Sequence, residues 1–534
     1  MDMFFMGGGG VSRARVNQIL EDYAKITTNY CNTPGGIGFP NGVCPTANLP
    51  AGMIPLPGFA TLGDNNYGNY QFRDGSQMVY RPRTWCIEGD GTNGFGVNVK
   101  DVKPWNYFDT AADAAAAGYW VHDVFLDGGG VKLGIFCDKF MCSKNALGTG
   151  SVASSIENGL PLSTSASHNP IADLTACAGN SYHEAINAAH ARDGVDGAAN
   201  VASIFFVESK QLFSYLAFCS MAHGQASTAI TYNAWYDAAG VTNFPKGCND
   251  NALGDVDDAE ILYTTDGYSN CGLTGSGTPF AKTTDNGQAC GVADLNGLLY
   301  EISIGLTCIA TTGTITAATQ DNPCQLTVVG HGKSTGDYIQ IASVVGMTEI
   351  NSKIFTLTVV DVDNITLDGV DSSAFAAYTS GGSATFGKFY RKKDSVSMKD
   401  FTSGNSAITD HWGAAGVAAM MDEYDMVLET AYPSNGFAQR MGSGANQVLS
   451  PDLAGNGAVL RSLGIPQDAD GVDATGTNLF GKDYFYQYIR NELCVRSGGY
   501  WAYTSNAGVW YSSWSYGRTN WNADVGFRCA CHPV

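Results

Sequence analysis

From Ile309 to Thr385 the chain alternates threonine and valine with other residues, as in QLTVVGHGKSTGDYIQIASVVGMTEINSKIFTLTVVDVDNITLDGV, with turn residues every eight to twelve positions. A side-chain period of two broken at such intervals is the pattern of paired strands, so the stretch predicts an all-β module. It begins just after GLLYEISIGLTCIA and ends before FGKFYRKKDSVSMKDF, segments that share a composition the module lacks. Matching neighbours on both sides mark an insertion into one body rather than a tandem domain. The body is then built from two pieces of chain far apart in sequence.

The body reads differently. Glycine occupies 66 of 534 positions and only 15% of residues are charged, against about 25% in an ordinary domain. That composition favours loops and turns, while 44% hydrophobic residues are ample for a packed core. Short apolar segments separated by Gly, Asn and Asp turns begin near Gln71, and helical periodicity returns around residues 180–191, 207–222 and 414–430. The expected class is α+β. Near the start, Val16, Ile19, Leu20 and Tyr23 line one face of a short amphipathic helix, which needs a partner to be stable. The expected division is an assembly arm over residues 1–70, a body in two parts over 71–308 and 386–534, and the inserted β module, a small barrel or sandwich, over 309–385.

Charge excludes one class of partner. Lys and Arg number 29 against 50 Asp and Glu, a net charge of −21, so no basic surface is available for nucleic acid or anionic lipid. No apolar run reaches the ~20 residues that span a bilayer, and MDMFFMGGGG has no basic region of the kind that opens a secretory signal. Synthesis without a secretory leader is the expectation. The 15 cysteines lack paired CxxC spacing and are read as buried thiols with a few disulfides.

Motifs of catalysis and metal binding are weak. His183 and Glu184 in SYHEAINAAH begin like a zincin helix, but position 187 is Asn and the next histidine is His190. His122, His168, His223, His331, His411 and His532 stand singly. Asp250, Asp255, Asp257, Asp258 and Glu260 cluster in NDNALGDVDDAE as a solvated acidic loop or, alternatively, a structural calcium site without EF-hand spacing. No Walker or GxGxxG fingerprint is present, so no catalytic residue, metal ligand or cofactor is assigned.

The densest chemistry is C-terminal. Residues 500–524 carry Tyr500, Trp501, Tyr503, Trp510, Tyr511, Trp514, Tyr516 and Trp521, interleaved with Ser505, Asn506, Ser513, Asn520 and Asn522, with Arg518 and Asp524 the only charges. No single period of 2 or 3.6 runs through the aromatics, so they cannot all line one buried face. Tyr and Trp offer rigid amphipathic contact area, and Ser and Asn adaptable hydrogen bonds, the mixture that paratopes use. The alternative is a tryptophan-rich core in a loop-rich fold.

Two resemblances add to this reading. HGKSTGDYIQI followed by GMTEIN, within residues 310–385, is similar to β-barrel inserts of phage tail proteins that resemble a half-domain of ubiquitin-activating enzymes. Asp294, Asn296, Gly297 and Glu301 in NGQACGVADLNGLLYEI, with Arg496, Gly498 and Gly499 in RSGGYW and the later VGFRCAC, resemble the formylglycine-generating-enzyme type of C-type-lectin-like fold. The enzymes of that family use a cysteine pair between the last two motifs. This chain has no cysteine from Val495 to Arg528, so the resemblance does not carry the oxidase chemistry over.

The interval instead looks like the variable region of retroelement-diversified adhesins at phage tail-fibre tips. That resemblance implies a virion receptor-binding protein, homotrimeric, non-catalytic, attached to other tail proteins and contacting a bacterial surface protein or glycan. Its variable region would be residues 496–528, with Phe527 and Arg528 in the framework. The rivals are a formylglycine-generating-type enzyme or its inactive relative, and a bacterial lectin-like adhesin. Neither EPN nor QPD occurs, and WNAD at 521–524 has one residue more than the WND of calcium-dependent lectins.

Overall fold

The computed structural model describes residues 31–96, 99–147, 150–174, 181–193, 203–238, 243–401, 417–424, 439–440, 457–465 and 483–534. The expected N-terminal helix lies outside them. The class is α+β and strand-rich. One six-stranded antiparallel sheet runs in the order Met53–Pro55, Asn69–Phe72, Gln77–Pro82, Gly134–Asp138, Cys529–Cys531, Phe205–Val207. The last strand of the chain thus sits between two early ones, and Val534 N–H donates to the Asn48 carbonyl at 3.0 Å. Strands from near the two ends of the described chain therefore share one sheet.

A second six-stranded sheet runs Gln439–Arg440, Tyr484–Tyr486, Gly508–Ser513, Val495–Gly498, Tyr300–Ser303, Val525–Gly526, with parallel ladders at its second and last pairings. The helix Ser181–His190 packs against Phe205–Val207 of the first sheet, and Lys210–Ala226 packs against Gly508–Ser513 and Val495–Gly498 of the second. Ser209 caps the second helix, its Oγ accepting from Leu212 N–H at 3.0 Å, and this helix is buried from Lys210 through Gly224, as a helix is when elements cover it on all sides. No helix among the described residues is long and apolar enough to cross a membrane.

The segment expected to be helical at 414–430 is corrected where it is described. Val417–Met420 form a single turn and Met421–Tyr424 form a strand. The reason is a vacant edge. Tyr338–Val345 pairs along Ser380–Lys392 only as far as Gly387, and Met421–Tyr424 takes up the unpaired backbone of Phe389–Lys392.

The β module has its own core, with Ile315, Leu326, Ile339, Phe355, Leu357, Ile365 and Phe386 among its buried residues. Strand Lys353–Val359 changes partner midway: Lys353–Thr356 pair with Tyr338–Ile341, and Leu357–Val359 pair with Ile365–Leu367. That corner folds the strands into two layers. Among the described residues the strands form one eight-stranded sheet and no closed barrel, so the barrel form of the expectation is corrected. Leu306–Thr314 and Ser380–Lys392 pair without a break across positions 309 and 385. Tyr338 and Ile354 also join a cluster with Phe389, Phe485, Ile489 and Trp514, so the module is rooted in the body by shared strands and shared packing.

The described cysteines are all buried, and none of them forms a disulfide. The acidic loop does not gather its carboxylates. Asp250 accepts from the amides of Ala252 and Gly254, Asp255 from those of Gly247 and Asp257, and Asp258 and Glu260 pair with Lys282. Among the described residues these carboxylates do not fall within one metal-sized group.

Candidate recognition surface

Gly498 and Gly499 turn strand Val495–Gly498 into the loop that carries Tyr500 to Asn506, with φ of +84° and +86°. A Cβ on Gly499 would lie 2.5 Å from the Ala507 Cβ, so only glycine fits this turn. The chain re-enters the sheet as Gly508–Ser513, and Asp483 fixes its start by accepting from Trp510 N–H at 2.8 Å.

Alternation along this strand then sorts the aromatics. Trp510, Ser512 and the following Trp514 point inward. Trp510 joins the main body core, and Trp514 packs against Phe389 and Phe485 with its Nε1 donating to Ser512 Oγ at 3.0 Å. Tyr511 and Ser513 take the opposite face.

On that face the rings form one layer. Tyr300 stacks with Tyr511 at 5.4 Å and meets Tyr500 at 4.9 Å and Tyr503 at 5.7 Å. Tyr486 meets Tyr511 at 6.1 Å and hydrogen-bonds Tyr503 through the hydroxyls. Tyr300 and Tyr511 are the buried floor, whereas Tyr484, Tyr486, Tyr500 and Tyr503 are half-buried. Each such pair contributes about 0.5–1.5 kcal/mol beyond area burial, so the layer is held in place before any partner arrives. Burial raises the phenol pKa of Tyr486, Tyr500 and Tyr503, so these hydroxyls stay neutral donors and acceptors.

The neighbouring loop is anchored by Arg496. Its guanidinium lies over the Tyr516 ring at 3.8 Å and donates to the Asn520 carbonyl at 2.9 Å and the Asn520 Oδ1 at 2.7 Å. Asn522 exchanges hydrogen bonds with Thr164 and donates to Asp524 Oδ2 at 3.1 Å. At the rim Trp521 is 60% exposed.

The fourteen expected contact residues therefore divide. Trp501, Trp510, Tyr511, Ser513, Trp514, Arg518 and Asp524 are buried, Tyr500, Tyr503, Ser505, Asn506 and Tyr516 are half-buried, and Asn520 and Asn522 are exposed. The exposure expected of the first group is corrected. Arg518 is a structural cation, donating to Glu492 at 2.6 Å and Thr307 at 3.0 Å. Tyr484, Tyr486 and Tyr488 were missed although DYFYQYIR shows them alternating with buried Phe485, Gln487 and Ile489.

Beneath the surface the motif residues meet. Arg528 donates to both oxygens of Glu301 and to the carbonyls of Asp138 and Ala293, with Glu208 at 3.3 Å. Gly297 N–H donates to the Gly498 carbonyl at 3.0 Å. Buried together, the Arg528 cation and the Glu301 carboxylate compensate each other, where either alone would be costly to bury. Asp138, Cys142 and Cys529 also cluster, but Arg192 donates to the Asp138 carboxylate at 2.8 and 2.9 Å and supplies the positive charge that a metal would bring.

A search of the curated proteins returned no match for the chain. One family model does match: residues 321–388, which cover most of the β module and run just past it, are similar to the FCCH domain of ubiquitin-activating enzyme E1.

Proposed function

We propose that this chain is the receptor-binding protein of a phage tail fibre, with a C-type-lectin-like body that presents the tyrosine layer to a bacterial surface receptor. The observation that carries the reading is the layer itself: half-buried Tyr484, Tyr486, Tyr500 and Tyr503 held in position on one sheet face and flanked by Ser505, Asn506, Tyr516, Asn520, Trp521 and Asn522. Pre-positioned phenols lose little conformational entropy on binding, and neutral hydroxyls suit a protein or glycan surface better than a phosphate.

The lectin-like assignment is supported by the junction of the D-x-N-G-x-x-x-E and V-G-F-R motifs through Glu301 and Arg528, with Phe527 buried beside them. Assembly as a homotrimer on the virion, beside other tail proteins, would multiply individually weak contacts into avidity. The function is adhesion rather than catalysis. The purified full chain should bind intact cells of its bacterial host saturably and compete with phage adsorption to them. Absence of binding to cells that the phage infects overturns the proposal.

A further inference from the structure

Beside the tyrosine layer, three residues that stand far apart in the sequence converge. Asp266 and Cys271 belong to a tight loop closed by the bridge between Thr265 and Gly272, and His168 comes from the segment that packs against it. The ligand atoms of the three lie within 4.8 Å of one another. The Asp266 side chain is fully enclosed and that of His168 is 7% exposed, so the group lies just under the surface.

The hydrogen bonds restrict what can occupy this point. His168 Nδ1 is 3.2 Å from the Ala523 carbonyl, which can only accept, so Nδ1 carries a proton. His168 Nε2 is 2.6 Å from Asp266 Oδ2, and an ionised carboxylate also can only accept. A bare ring nitrogen cannot face a carboxylate at that distance. A neutral imidazole has one N–H to give, so a metal ion at Nε2 would leave Nδ1 free to donate to the Ala523 carbonyl. Among the described residues no lysine or arginine pairs with Asp266.

The remaining shell resembles that of a ligated histidine. A metal-binding imidazole normally donates its other N–H to a carbonyl, as Nδ1 does here to Ala523. Asp266 Oδ1 is held by the amide of Tyr268 at 2.7 Å, and the Tyr268 ring stacks on His168 at 4.2 Å. Cys271 supplies the soft ligand.

The geometry points to a divalent zinc-class site formed by His168 Nε2, Asp266 Oδ2 and Cys271 Sγ, with water as the fourth ligand. Tetrahedral zinc with bonds near 2.0 Å separates N and O by about 3.3 Å, so the carboxylate moves outward by under ~1 Å on binding. Binding releases the thiol proton, since zinc takes the cysteine as thiolate and the histidine as neutral imidazole. Through the Ala523 carbonyl the ion would fasten the loop of Asn520 to Asp524, and Tyr268 extends the contact to Trp501 at 6.2 Å. The site does not depend on the receptor-binding reading.

The test uses the full chain, freed of metal, with zinc and cobalt(II) as probes. About one equivalent of zinc should remain after gel filtration, and the cobalt form should show a thiolate charge-transfer band that Cys271→Ser abolishes. His168→Gln should weaken the visible cobalt bands, and it serves alone if Cys271→Ser does not fold. Less than about a tenth of an equivalent of zinc in folded protein, or a thiolate band that survives in folded Cys271→Ser, overturns the site.

Discussion

Strand Gly508–Ser513 presents two aromatic layers with opposite fates. Trp510 and, just beyond the strand, Trp514 enter the interior, where one meets the body core and the other closes the seam with the β module. Tyr511, one position away, supports half-buried tyrosines contributed by Tyr484–Tyr486 and the loop after Gly499. An aromatic-rich segment is therefore neither a core nor a binding surface by composition. The pleat divides it: the indoles are fully enclosed, while the phenol side runs from the buried Tyr511 out to half-buried tyrosines, the face proposed above for recognition.

The strongest way to break the comparison is to remove what both layers rest on. Arg528→Ala leaves Glu301 and Glu208 buried without their cation, and the expected cost is about 3–5 kcal/mol or more, read as loss of the urea transition or of soluble protein. Trp514→Ser empties a fully buried site between Phe389 and Phe485 and should cost about 3–5 kcal/mol by the same measurement.

Acid should weaken the indole side more gradually. Helix Lys210–Ala226, which packs against Gly508–Ser513, contains His223, whose Nδ1 accepts from Gly35 N–H at 3.1 Å. Burial pushes the His223 pKa from 6.5 down to about 4. The folded state keeps the ring neutral while the unfolded chain protonates it, so this contribution is present above pH 6.5 and lost as pH falls toward 4. Urea midpoints of wild type should fall more steeply over that window than those of His223→Gln, by up to roughly 1.4 kcal/mol per pH unit. A smaller stability effect belongs to the phenol side: Tyr500→Ser gives up its ring contacts with Tyr300 and Tyr503 and should cost about 1–3 kcal/mol while weakening cell binding.

Much of this architecture was legible. The two-residue period of the insert and the helical period at 180–191 and 207–222 became the β module and the two principal helices. Over residues 500–524 no period emerges because loop, strand and loop are averaged together, whereas Trp510, Ser512 and Trp514 against Tyr511 and Ser513 is a clean alternation once the strand is isolated. The tyrosines of DYFYQYIR lay in plain alternation but outside that window. The helical period near 414–430 lost to an open strand edge, which only tertiary structure creates. No local pattern could join His168 to Asp266, 98 residues away.

The most direct test of the two-sided account is a binding assay on intact host cells. It compares wild type, a phenol-side variant with Tyr500, Tyr503 and Trp521 all changed to Ser, and Trp514→Ser, each first measured for stability and oligomeric state. The account predicts that the phenol-side variant, though less stable by the ring contacts it gives up, still folds and binds at least about tenfold more weakly, roughly 1.4 kcal/mol, while Trp514→Ser loses stability. Unchanged binding by the folded phenol-side variant, or full stability in Trp514→Ser, would contradict it.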